Sequence, residues 1–204
     1  MYLVTTPWWL RLIFGKVLTW EVDTKEKEIF ITFDDGPHPT VTPFVLDCLR
    51  QYNAKATFFC IGKNVAQYPT LYRQIIDEGH LVGNHTYNHL NGWNTQDKEY
   101  FENIQQAKNI IDSKWFRPPY GKISKFQIKH LKPLYNIVMW SVLSGDFDIS
   151  LSKEKCLDNV IKHTNEGSII VFHDSEKAFQ RLEYALPLAL KYFQEKGFAM
   201  KVIR

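Results

Sequence analysis

Several short stretches of this chain are apolar at nearly every position: EIFITF (28–33), KATFFCI (55–61), NIVMW (136–140) and SIIVF (168–172). A strand with one wet face alternates apolar and polar residues, whereas a continuous run must be covered on both faces. Between these runs lie segments of helix length. They are VTPFVLDCLRQY (41–52), PTLYRQIIDEG (69–79), TQDKEYFENIQQAKNII (95–111) with Thr95 as its cap, and SKEKCLDNVIKH (152–163). A last one, AFQRLEYALPLALKYFQEKG (178–197), contains Pro187, which should break or kink it. HLVGN (80–84), KWFRP (114–118) and FAMKVI (198–203) read as further strands. Strand–helix alternation with strands of this kind predicts an α/β fold with a mostly parallel sheet under helices. No GxGxxG follows the first strand, which argues against a dinucleotide-binding sheet. The repeated units fit a small, distorted β/α barrel better.

At 204 residues the chain can hold one domain with a real core. Its net charge of +3, with no dense basic run, excludes an argument for a nucleic-acid partner. The KEKE stretch (25–28) reads as a solvated approach to the first strand. Three cysteines, Cys48, Cys60 and Cys156, give neither a disulfide framework nor a CxxC metal motif. No run reaches the length of a membrane span, and the start lacks a signal-peptide pattern. A cytoplasmic or membrane-peripheral location is therefore expected, with export left open. Residues 1–27 are expected to be an arm or helix packed on a domain spanning 28–204. Within that arm, PWWLRLIFGKVLTW (7–20) also fits a membrane-surface anchor, though its only basic residues are Arg11 and Lys16.

In β/α barrels chemistry collects where the strands end. Asp34 and Asp35 end the first strand, His85 and His89 follow HLVGN, and Arg117 ends KWFRP. Asp146 follows NIVMW by a short loop, and His173 and Asp174 end SIIVF. HTYNH (85–89) puts two histidines four apart, on one face if the segment is a helical turn. Alone, such a pair is more often a surface feature; with an acid pair on the same rim, a metal site is the better reading. Two imidazoles and a carboxylate leave a position open for water, and Zn2+ is the default ion, with Co2+ or another transition metal admissible. FDDGPHP (33–39) then has a rationale. Adjacent strand residues face opposite ways, so both acids can serve one site only where the chain turns, at Gly36-Pro37. One acid ligates; the other takes a proton from the water that the metal activates.

TFDDGP (32–37), HTYNH, RPPYG (117–121), the segment from Trp140 to Phe147, and IIVFHD (169–174) resemble, in order and spacing, the motifs of the polysaccharide deacetylases. These are the NodB-homology enzymes, carbohydrate esterase family 4. The resemblance runs from about residue 28 to the C-terminus. It implies a distorted (β/α) barrel and metal-dependent removal of acetyl groups, most often N-acetyl, from a saccharide such as peptidoglycan or a chitin-type oligomer. It implies Asp34 as base, with Asp35, His85 and His89 as metal ligands and Thr86 holding their loop. Arg117 would pair with Asp34, the Tyr120 N–H would stabilise the oxyanion, and His173 would be the acid, tuned by Asp146. Pro119, Phe147 and Val171 would wall the substrate pocket. Trp93 would either stack on a sugar or make a core contact.

The chain departs from the family pattern at Phe147, where Trp is usual, at Val171, often Leu, and at Leu143, where an acid is usual. His80 reads as structural, Asp174 as a helix cap, and His38, His130 and His163 as surface residues. Two alternatives remain: deacylation of a lipid-linked sugar or other non-polymer amide with peripheral membrane contact, and an inactive carbohydrate-binding relative. The intact base and ligands speak against the second. Nothing in the sequence fixes an oligomeric state.

Overall fold

The computed structural model describes residues 3–15 and 17–204, so Lys16 of the N-terminal stretch lies outside the described residues. The strands are β1 (Glu28–Asp34), β2 (Ala56–Cys60), β3 (Leu81–Asn84), β4 (Trp115–Phe116), β5 (Asn136–Ile137), β6 (Val142–Leu143), β7 (Ile169–His173) and β8 (Ala199–Met200). They form one sheet in the order β5-β4-β3-β2-β1-β7-β6, with β8 paired beside the start of β1. Every paired strand is parallel to its neighbour. The sheet curls into an open, distorted barrel. Its centre is the most apolar part: all seven residues of β1 and all five of β2 are buried.

The helices are α1 (Trp8–Phe14), α2 (Val41–Gln51), α3 (Gly62–Gln67), α4 (Pro69–Asp77), α5 (Asp97–Lys108), α6 (Lys125–Leu131), α7 (Lys153–Ile161) and α8 (Glu176–Glu195). Helix α8 buries Ala178, Leu182, Ala185, Leu186, Ala189, Leu190 and Phe193, a helical stripe against the core. Pro187 does not break it, contrary to expectation: the helix runs twenty residues with Pro187 inside. Each buried Leu or Phe of that stripe contributes about 1.5–3 kcal/mol, enough to offset the lost hydrogen bond. Glu183, whose carbonyl Pro187 leaves without its helical partner, is on the exposed side.

The cap of α5 also differs. It is Gln96 and not Thr95, and it makes no side-chain cap bond. Helix α6, which the hydrophobic pattern does not announce, starts with a full capping box between Ser124 and Gln127. His38 is more than a surface residue: its Nδ1 accepts the N–H groups of Thr40 and Val41 at the start of α2, each at 3.3 Å. Glu28 is buried, not solvated, and meets Lys201 at 3.0 Å and Arg204 at 2.9 Å.

The N-terminal arm closes the open side of the sheet. Thr19 bridges to Val138 beyond β5, Glu21 to Ser168 before β7, and Thr5 to Val142 of β6. The arm thus supplies partners to otherwise exposed strand edges. Leu18, Trp20 and Val22 of the arm are themselves buried. The three cysteines are buried and free.

Candidate active site

Parallel register brings the strand ends level. Asp34 pairs with Phe59 on one side and His173 on the other, Cys60 pairs with Asn84, and Asn84 with Phe116. The residues that follow, Asp35, His85 and Arg117, therefore emerge on one rim. Asp35 departs from the strand with φ 82°, the left-handed region that only a tightly determined loop imposes on a non-glycine residue. Its carbonyl accepts Asn64 Nδ2–H at 2.7 Å. Gly36 follows because nothing larger fits: a Cβ there would lie 2.0 Å from Asp174 Oδ2. Asp174 is not a helix cap. It is fully buried and accepts the Gly36 N–H at 3.0 Å and the Thr42 hydroxyl at 2.5 Å, tying the acid-bearing loop to the end of β7. Burial pushes its carboxyl up to about 8.

HTYNH is a loop, not a helical turn. Thr86 and His89 both take positive φ, 62° and 58°, and the Thr86 hydroxyl accepts the Leu90 N–H at 3.1 Å. The Thr86 N–H donates to Asn84 Oδ1 at 2.8 Å, while Asn103 Oδ1 accepts the Tyr87 and Asn88 N–H groups. These bonds, and not helical periodicity, bring the imidazoles together, with ring centroids 5.0 Å apart.

Ligand atoms of Asp35, His85 and His89 all lie within 4.8 Å of one another. Asp35 Oδ1 is 3.2 Å from His89 Nε2 and 3.8 Å from His85 Nε2, yet this buried oxygen has no hydrogen-bond partner. Burial lowers the His85 pKa to about 4, so the ring is neutral. Its Nδ1–H faces the Arg117 carbonyl at 2.7 Å, which leaves the Nε2 lone pair toward Asp35. Burial alone would raise the Asp35 pKa, but the contact with His89 and the charge of His173 drive it well below the usual carboxylate range. A carboxylate with an orphaned oxygen beside a neutral, oriented imidazole and a second imidazole fits a divalent cation.

Arg117 is wholly buried. It donates to Asp34 Oδ1 and Thr32 Oγ1 at 2.7 Å each, and to the carbonyls of Met139 at 2.8 Å and Val138 at 3.3 Å. Its guanidinium stacks 4.1 Å from the Phe59 ring centroid. Asp34 is thus clamped through Oδ1 while Oδ2 stands 4.0 Å from His85 Nε2. Across the cavity, Asp146 Oδ1 is 2.7 Å from His173 Nδ1, and Oδ2 accepts the His173 N–H at 2.7 Å. Burial lowers the His173 pKa, but the charge and hydrogen bond of Asp146, with Asp35 and Asp34 behind, outweigh it and raise it to about 9.

Asp34, Asp35, His85, His89 and His173 line a cavity of about 520 Å3 whose apolar wall is Tyr120, Trp140, Leu143, Phe147 and Val171. Phe147 meets His173 edge-on at 5.1 Å. Tyr120 sits at φ 60° on a 3-10 turn (Pro119–Gly121), its ring 4.6 Å from that of His89. Pro119, the first residue of that turn, is buried and is not among the residues that line the cavity, contrary to the expectation that it walls the pocket. Trp93 faces a neighbouring groove, where its Nε1–H bonds the Ile123 carbonyl at 2.9 Å. His80 is structural, as expected: it is buried and its Nδ1 accepts the Ala56 N–H at 3.2 Å. Sequence reasoning missed Arg181, a buried arginine on the apolar stripe of α8 that donates to the Asp146 carbonyl at 2.6 Å. The signal was an arginine three residues after Ala178 and four before Ala185, on a face otherwise apolar.

A family model described as polysaccharide deacetylase matches residues 21–134. A peptidoglycan-N-acetylglucosamine deacetylase of Bacillus cereus is 40% identical over 189 residues, covering 89% of this chain and 88% of that protein. A chitooligosaccharide deacetylase of Azorhizobium caulinodans is 36% identical, covering 88% of this chain and 94% of that one. Among solved structures, the Bc1960 peptidoglycan N-acetylglucosamine deacetylase superposes with a TM-score of 0.87 at 33% identity, over 95% of this chain and 93% of that one. A family 4 carbohydrate esterase from Streptomyces lividans in complex with acetate gives 0.77 at 29% identity, over 87% of this chain and 93% of that one.

Proposed function

The chain belongs to the polysaccharide deacetylase family, metal-dependent hydrolases of carbon–nitrogen bonds other than peptide bonds, and we propose how its own residues remove an N-acetyl group from an acetylated saccharide such as peptidoglycan or a chitin-type oligomer. The observation that carries the reading is the arrangement around one cavity: a convergent Asp35–His85–His89 set, an Arg117-clamped Asp34 beside it, and an Asp146-held His173 opposite.

Asp35, His85 and His89 would hold a divalent metal, Zn2+ by preference, which would supply a more acidic water and a polarised acetyl carbonyl. Asp34 Oδ2, the oxygen that Arg117 leaves free, takes the proton of the attacking water. The Tyr120 N–H donates to the oxygen that becomes negative as the carbonyl carbon turns tetrahedral. Asp146 fixes the proton of His173 on Nδ1 when the ring is neutral, so Nε2 carries the proton delivered to the leaving amine. Phe147 and Val171 close around the acetyl methyl and exclude water from it. Residues 28–204 form the catalytic domain, with the arm before it pairing to the sheet through Thr5, Thr19 and Glu21.

The test is the product balance. One acetate and one free amine per turnover are expected from N-acetylated chitin-type and peptidoglycan oligomers, with metal titration reaching one equivalent. Acetate from O-acetyl groups alone would overturn the preference for the amide.

A further inference from the structure

Helix α1 is apolar on two sides. Leu10 and Phe14, with Pro7, line a groove of about 490 Å3. Trp8, Trp9, Leu12 and Ile13, spaced as one helical face, point away from it and are 72%, 48%, 73% and 62% exposed. Arg11 is the one charged residue of this helix, and an exposed face of four large apolar side chains calls for a cover. Lys122 and Lys125 line the same groove. Lys125 begins α6, where Lys129 follows one turn later beside Phe126, itself 51% exposed. From Ser113 to Gly145 the chain carries Lys114, Arg117, Lys122, Lys125, Lys129 and Lys132 and no acid, and no acid precedes Glu21. The groove shares Tyr120, Trp140 and Leu143 with the catalytic cavity, so this surface adjoins the mouth of the site.

We propose that this surface docks on an anionic lipid bilayer, with the outer face of α1 seated in the interface and the lysines of α6 over the headgroups. Paired tryptophans with Leu and Ile suit the headgroup–acyl boundary, and the basic flank matches negative lipid. Among the described residues no helix is long and apolar enough to cross a membrane; the contact proposed is peripheral. A second copy of the chain is the poorer cover. Four side chains fall far short of the roughly 20–30 residues a side of a stable interface, and two-fold pairing would bring like-charged flanks together. A glycan is poorer too, because Leu12 and Ile13 offer a sugar neither stacking nor hydrogen bonds. If the deacetylase reading holds, docking here would present the cavity to saccharides carried on or lying against the membrane.

The test is flotation of the metal-loaded full chain with vesicles of phosphatidylcholine alone or mixed with phosphatidylglycerol. The protein should float with the mixed vesicles only, and release should follow added salt. Trp8→Ser/Trp9→Ser/Leu12→Ser/Ile13→Ser should abolish flotation while acetate release from a soluble oligosaccharide persists. Lys125→Glu/Lys129→Glu should weaken binding about 25-fold or more, from about fivefold per basic residue near an anionic surface. Because both lysines are exposed, this second variant keeps the test sound if the first is unstable. No flotation, equal flotation on neutral vesicles, or a dimer in sedimentation that the quadruple variant dissolves would overturn the proposal.

Discussion

Asp146→Asn should move the titration of His173 by more than two pH units. In the protein His173 is raised from its ordinary 6.5 to about 9, against a burial that by itself lowers it. The amide can present its oxygen to only one of the two His173 N–H groups that Asp146 now serves, and it carries no charge. The pKa should therefore fall to 6.5 or below. At about 1.4 kcal/mol per unit, the charge and hydrogen bond are worth roughly 3 kcal/mol to the protonated ring. A pKa raised on folding stabilises the native state below the unfolded value, and that contribution is lost as pH climbs. The window here is about 6.5 to 9. At pH 8 the protonated fraction would drop from about 0.9 to about 0.03, roughly 30-fold, whereas at pH 5.5 the two proteins would nearly agree. Imidazole NMR on metal-stripped protein reads the pKa directly, and urea unfolding at pH 6 and pH 8 reads the stability. A His173 pKa still near 9 in the variant, or an equal stability loss at both pH values, would refute the reasoning.

Other consequences follow from the same contacts. Arg117→Met strands the buried Asp34 carboxylate and should cost about 3–5 kcal/mol in urea unfolding, far more than any exposed arginine would. Gly36→Ala drives a Cβ into Asp174, so calorimetry should find weaker metal binding and a lower Tm, about 1–3 kcal/mol of overpacking. Arg181→Met frees the Asp146 carbonyl; kcat should fall with KM nearly unchanged, because α8 does not bring Arg181 to the cavity wall.

The parallel sheet was legible because its central strands, β1, β2 and β7, are buried on both faces and their sequences are apolar throughout. The rim chemistry was legible for a related reason: polar residues directly after such runs must sit at strand ends. Residues whose roles depend on tertiary partners were not. Asp174 looks like a cap in the sequence because the carboxylate precedes a helix, yet its partners, Gly36 and Thr42, lie more than 130 residues away. The histidine pair was found, but its helical rationale was wrong, since positive φ at Thr86 and His89 leaves no trace in a four-residue spacing. Helix α6 carried a readable Ser-x-x-Gln signal at 124–127; α3, six residues opening on a glycine, carried almost none. Pro187 misled because local propensity yields to the packing of a long apolar stripe.

The proposed reaction pairs two events: Asp35, His85 and His89 would hold the metal, and Asp34 would take the proton. Acetate release should be measured from N-acetylated oligosaccharides on metal-stripped protein, with Zn2+ or Co2+ added back, beside Asp34→Asn. Release should appear only with metal, and Asp34→Asn should bind metal while losing at least about 100-fold in kcat, the low end for a general base. Full release without metal, or a metal-loaded Asp34→Asn that turns over like the parent, would contradict it.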